Sequence, residues 1–143
     1  MSAGPGQALF EFVRHWSRRT APDVAEQGRL VLVIEAAYAV SRRGPVTINA
    51  VAHEIGIDQS GASRLVKDAA AAGYLELRSA DGDARRRQVG VTADGLELIE
   101  QAHAWQEEVF VQLTEGWSER RRAEFHRAMA SLVERSNPRT DWM

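Results

Sequence analysis

A mainly α-helical fold with one small β-hairpin is what this sequence predicts, and three patterns predict it. Apolar residues recur at helical spacing through most of the chain. Two short helices meet at a glycine between residues 47 and 73, and two stretches of period-two alternation flank Asp81–Gly82. The 143 residues suit a single domain, and 44% hydrophobic with 27% charged residues is ordinary for a globular protein.

The elements follow from the N-terminus. Ala8–Arg18 sets Leu9, Phe12, Val13 and Trp16 at i, i+3, i+4 and i+7, the stripe of an amphipathic helix over residues 8–20. Asp23 is placed to cap the next helix, Val24–Arg43, which is apolar nearly all round and so reads as the central core helix. Gly44–Pro45 stops it. Thr47 caps a short helix with Ile48, Val51, Ala52 and Ile55 as its apolar positions, and Gly56 supplies a left-handed turn. Asp58 caps a second helix running to about Ala72, stopped by Gly73. Two short helices joined by a few residues that include Gly form a helix-turn-helix.

A hairpin follows. In Tyr74–Arg78, Leu75 and Leu77 alternate with Glu76 and Arg78, and Gln88–Thr92 alternates likewise with Val89 and Val91 on one face, around a polar tip at Asp81–Arg87. Thr92 caps a long helix, about Ala93 to Glu115, with Leu96, Ile99, His103, Gln106, Phe110 and Leu113 along one side and Trp105 and Val109 widening the stripe. Gly116 ends it. Ser118 opens a last helix whose apolar face is Phe125, Met129, Leu132 and Val133, stopped by Asn137–Pro138. Residues 24–92 thus form a winged helix-turn-helix, with flanking helices at 8–20 and 93–137. The flanking helices carry more apolar surface than one small winged domain can cover, which points to an isologous dimer.

Composition narrows the function. Cys is absent, so disulfides, thiolate metal sites and cysteine redox sensing are excluded. The longest apolar run, Leu30–Ile34, is far short of the roughly 20 residues of a membrane span. Residues 1–7 lack the basic-then-apolar order of a signal peptide, so a soluble cytoplasmic protein is expected. The net charge of −2 is uneven: residues 41–92 carry eight Arg or Lys against six acids, and residues 93–143 six Arg against ten. His15, His53, His103 and His126 show no ligand-like spacing with carboxylates, so no metal is expected, nor any other cofactor. No phosphate loop, nucleophile elbow or metal-binding His pair is present, and an enzyme is not expected.

The second helix of the pair carries the chemistry. At about 100° per residue, Ala62, Leu65, Val66 and Ala69 fall together toward the core. Ser60, Arg64, Lys67 and Ala71 fall on the opposite face, with Ser63 and Asp68 at its edges. Small residues let a backbone approach the major groove, while Arg and Lys reach guanine edges or phosphates. Two cations on a helix are usually a solvated face; their place after a capped helix and a Gly turn favours DNA. Arg85, Arg86 and Arg87 on the wing suit a minor groove, and Asp83 is placed to orient Arg85. The plain alternative there is a solubilising turn. A winged helix that binds protein rather than DNA is a further alternative, against which Arg64 and Lys67 speak.

These residues resemble the MarR (multiple antibiotic resistance regulator) family from about Val24 to Gly95. The resemblance is carried by Gly44–Pro45–Val46–Thr47–Ile48 through Ile57, by Asp58–Gln59–Ser60–Gly61–Ala62–Ser63–Arg64–Leu65–Val66, and by Gly73–Tyr74–Leu75. Asp83–Ala84–Arg85 is similar to the family's Asp-x-Arg wing element, and Val91–Thr92–Ala93–Asp94–Gly95 to the start of its long helix. Gly61 departs from the family, which often has a larger residue there. The resemblance implies a homodimeric transcription regulator, a repressor, whose first and last two helices intertwine with the partner's. It implies a pseudo-palindromic duplex DNA operator, with Gln59, Ser60, Ser63, Arg64 and Lys67 at the major groove. Arg85, with Arg86 and Arg87, falls at the minor groove. It also implies release by a small aromatic or phenolic ligand, for which His15, Trp16, Tyr38 and His53 are the candidate lining residues; a ligand-independent regulator is the alternative.

Overall fold

The computed structural model describes residues 4–17, 22–80 and 83–136, with the side chains of 4–16, 27–79 and 87–136. Its elements run α1 (Pro5–Ser17), α2 (Pro22–Ser41), α3 (Ile48–Ile55), α4 (Gln59–Ala71), β1 (Leu75–Ala80), β2 (Asp83–Val91), α5 (Ala93–Leu113) and α6 (Glu119–Arg135). The predicted order of helix, helix, helix-turn-helix, hairpin, helix, helix is the observed one.

Prolines, not the expected residues, open the first two helices. Pro5 starts α1 before Ala8, and Pro22 starts α2, so Asp23 lies inside the first turn instead of capping it. The fixed φ of proline suits a first helical position, where its missing N–H has no partner to lose. Three later caps are as the sequence predicts, whereas Asp58 stands at the N-cap of α4 without a side-chain cap bond. The Thr47 hydroxyl accepts from Ala50 N–H at 3.1 Å, Thr92 from Gly95 N–H at 3.1 Å, and Ser118 from Arg121 N–H at 3.1 Å. Gly56 takes the left-handed conformation at φ 83°.

The core is built around α2. Val33, Ile34, Ala36, Ala37 and Val40 are buried there, against Val46, Val51, Val66, Ala69, Leu75, Val89, Leu98 and Ile99. Helix α2 touches α3, α4, β2 and α5, which explains a sequence with scarcely a polar face. Only the first turns of α5 join this core, through Gly95, Leu98 and Ile99. The expected single stripe along α5 therefore needs correction. Of its members only Ile99 is buried, Leu98 is buried beside it, and Leu96 and Leu113 are exposed. The helix enters the winged core with one face and then leaves it.

Beyond that point little is covered. Helix α6 has no buried residue among those described, and Phe10, Phe12, Val13, Trp105, Val111, Leu113, Leu132 and Val133 are all more than half exposed or close to it. Trp16 joins α1 to α5 through Trp105, ring centroids 6.4 Å apart, and stacks on Phe12 at 6.2 Å. Phe125 joins α6 to Phe110 and Trp117, each at 5.7 Å. Arg122 closes the α5–α6 corner by donating to the Thr114 hydroxyl and carbonyl, both at 2.9 Å.

Candidate nucleic-acid interface

The helix-turn-helix is fastened at each joint. After α3, Gly56 N–H and Ile57 N–H both donate to the Ala52 carbonyl, at 2.8 and 3.1 Å, which satisfies the helix end and turns the chain toward α4. Arg43, just past α2, donates to Glu54 of α3 at 2.6 Å, an ion pair between segments that no local pattern connects. In α4, Ala62, Val66 and Ala69 are buried and Leu65 is half-buried. Burying an aliphatic side chain of this kind is worth about 2 kcal/mol, so α4 cannot roll about its axis without exposing that face and burying charge.

With α4 so held, the opposite face is set. Gln59, Ser60, Arg64, Lys67, Asp68 and Ala71 are exposed and Ser63 is half-buried. Arg64 and Lys67 take part in no hydrogen bond or ion pair among the described residues. Two free cations and small neighbours on one helical face can bind phosphates or the acceptor edges of guanine.

The wing is longer in strand, and shorter in loop, than the sequence predicts. β1 and β2 pair antiparallel with Leu75 opposite Val91, Leu77 opposite Val89 and Ser79 opposite Arg87, and the register shifts between Ser79 and Ala80. The expected tip at Asp81–Arg87 is therefore mostly strand, since β2 begins at Asp83. Arg87 is exposed at a strand position. Arg85, Arg86 and Asp83 have their backbone in β2, while their side chains, and with them the expected Asp83–Arg85 pair, lie outside the described residues. Arg78, also exposed, donates to Glu76 on the same strand.

An isolated β-bridge fastens the wing to the helix-turn-helix. Val89 N–H donates to the Val46 carbonyl at 2.8 Å, and Thr47 bridges Gln88. At the far end, the Thr92 hydroxyl donates to the Gly73 carbonyl at 2.7 Å while Thr92 N–H donates to the Tyr74 carbonyl at 3.2 Å. Wing, α4 and α5 thus share one joint.

The four candidate ligand-lining residues are spread over three helices. His15 pairs with Glu11 on α1 at 3.8 Å, Trp16 packs on Phe12 and Trp105, Tyr38 lies on α2 and His53 on α3, and all four are exposed. No hydrogen bond, ion pair or ring contact joins any two of them among the described residues.

A helix-turn-helix with its outward helix face exposed, and a hairpin fastened beside it, define a winged helix-turn-helix fold. The sequence model of the MarR family matches residues 32–86, from the core helix to the wing. No curated protein sequence matches the chain. Among solved structures, the fold is similar to that of Staphylococcus aureus MepR, a transcription regulator of the multidrug efflux pump MepA. The TM-score is 0.64 at 19% identity, over 90% of this chain and 96% of that one. It is similar also to MepR in complex with DNA, with a TM-score of 0.59 at 20% identity over 90% of this chain and 97% of that one. A third similar fold is that of Bordetella bronchiseptica BpsR, whose DNA binding is regulated by 6-hydroxynicotinic acid. There the TM-score is 0.59 at 20% identity, over 89% of this chain and 98% of that one.

Proposed function

We propose that this protein is a sequence-specific regulator of transcription that binds duplex DNA as a homodimer. The observation that carries the reading is the outward face of α4, where Arg64 and Lys67 stand exposed, with no partner among the described residues, beside Ser60. Gln59, Ser60, Ser63, Arg64 and Lys67 serve the major groove, with Arg64 as the base-reading cation and Lys67 on phosphate. Arg85, Arg86 and Arg87 serve the neighbouring minor groove, Asp83 orienting Arg85.

The second copy covers the flanking helices. Phe10 of α1 is 71% exposed and Val133 of α6 65% exposed, with Trp105 and Val111 of α5 above half. Surface of that kind on the helices remote from the reading face fits an isologous interface, which would place two reading helices on the halves of a pseudo-palindrome. The protein acts as a repressor by covering its operator, works in the cytoplasm, and has no catalytic role. No described helix is long and apolar enough to cross a membrane. A small aromatic acid, of the kind that regulates BpsR, releases it from DNA, with His15, Trp16, Tyr38 and His53 as candidate lining residues.

The test is selection of duplexes from a random pool by the purified protein. Enrichment of one inverted repeat is the expected outcome. Retention of all sequences alike, or of none, contradicts the reading, and the latter result favours a winged helix that binds protein.

A further inference from the structure

The first turn of α4 is not capped in the ordinary way. Asp58 occupies the N-cap with an extended backbone, φ −72° and ψ 162°, yet its side chain accepts no hydrogen bond from a backbone N–H of the helix. Its carboxylate is turned elsewhere. Oδ2 accepts from the Ser60 hydroxyl at 3.0 Å, and Oδ1 stands 2.7 Å from the point that a Cβ on residue 61 would occupy. The space of a side chain at position 61 is taken by the Asp58 carboxylate, and Gly61 leaves it free. Because the close atom is the end of a flexible side chain, a larger residue 61 would displace the carboxylate without breaking the helix.

The direction matters. At about 100° per residue, positions 60 and 61 lie on either side of the direction taken by Arg64. A carboxylate that reaches from Ser60 across Gly61 therefore heads the outward face, one turn ahead of Arg64. An ionised carboxylate only accepts hydrogen bonds, and on a surface that meets DNA it repels phosphate. It is compatible with a tight complex only where a donor meets it. In the major groove such donors are the exocyclic amino groups, and the usual partner of an acidic side chain is cytosine N4.

We infer that Asp58 is a specificity-determining residue. Its carboxylate, held by Ser60 and given room by Gly61, accepts from the amino group of a cytosine at one base pair in each half-site. The inference rests on the proposed function and adds to it a reading residue of opposite charge to Arg64.

The test compares the parent with Asp58→Asn and Asp58→Ala. Asn retains the preference for an N-cap, and because Asp58 makes no cap hydrogen bond, Ala should leave the fold intact too, as a melting curve will show. Base-preference profiles are measured by selection, and affinities on the selected duplex and on a scrambled one. Both variants should lose the cytosine preference at one position by about tenfold. Both should also bind the scrambled duplex more tightly, because a repelling charge has gone. Unchanged profiles, or weaker binding to scrambled DNA, overturn the inference. A parent that enriches no duplex overturns the proposed function and this inference together; a parent that enriches one while both variants keep its profile overturns the inference alone.

Discussion

Gly95 sits so close to the backbone of Tyr74 that a Cβ on residue 95 would lie 2.2 Å from the Tyr74 carbonyl oxygen, and 3.0 Å from Val91 Cγ1. That carbonyl is already committed to Thr92 N–H at 3.2 Å, so it has no freedom to turn away. The first turn of α5 is pressed against the start of β1, immediately after the reading helix. Gly95→Ala is expected to destabilise the fold by about 1–3 kcal/mol, the usual cost of overpacking against rigid surroundings. A lower urea midpoint at unchanged m-value is the readout. An unchanged midpoint would show that the two segments separate more easily than their contact implies.

Thr92 serves the same joint with both its donor and its acceptor. Its hydroxyl caps α5 through Gly95 N–H at 3.1 Å and donates to the Gly73 carbonyl at 2.7 Å. Thr92→Val keeps the shape and removes both bonds, so a loss of about 1–2 kcal/mol is expected, with Thr92→Ser close to the parent. Thermal melts of the three proteins decide it. Equal loss in Ser and Val would place the effect in the missing methyl group and not in the hydroxyl.

The flanking helices should hold a second copy. Sedimentation equilibrium at micromolar concentration is expected to give twice the chain mass of 15.9 kDa. Phe10→Glu and Val133→Glu alter side chains that are 71% and 65% exposed in the single chain, so each should weaken association while leaving the fold itself intact. A parent protein that sediments as a single chain would contradict the dimer.

On the wing, Arg85→Ala is expected to weaken binding to all duplexes alike. The slope of log affinity against log salt should fall by about 1, as for the loss of one phosphate-facing cation. Titrations at several salt concentrations, on selected and scrambled duplexes, measure it. A change in base preference with an unaltered slope would contradict this sequence-independent role for Arg85 in the minor groove.

Much of this architecture was legible because its signals are local. Thr47, Thr92 and Ser118 cap their helices through bonds three residues away, and the buried face of α4 follows from helical rotation alone. Gly56 takes the expected left-handed turn. What escaped the sequence depends on contacts between distant segments. The Val46–Val89 hydrogen bond belongs to an isolated bridge with no alternating run to announce it, and the Arg43–Glu54 pair joins residues with no shared period. The hairpin was predicted with too large a tip, because Arg85–Arg87 show no apolar alternation although their backbone is strand. The α5 stripe was drawn as one seam, whereas Leu98 and Ile99 serve the winged core and the remainder of the helix leaves it. In the candidate interface, rotation predicted the exposure of Ser60, Arg64 and Lys67. It gave no sign that the Asp58 carboxylate folds over Gly61, since the ordinary use of that residue type is to cap the helix.

The outward face of α4 is tested most directly by anisotropy titrations of a selected duplex and its scrambled counterpart with the parent, Arg64→Ala and Lys67→Ala. Arg64→Ala should lose about 1–3 kcal/mol on the selected duplex and change its base preference, whereas Lys67→Ala should weaken both duplexes alike. Parent-like affinity and preference in both variants would contradict the assignment of this face to DNA.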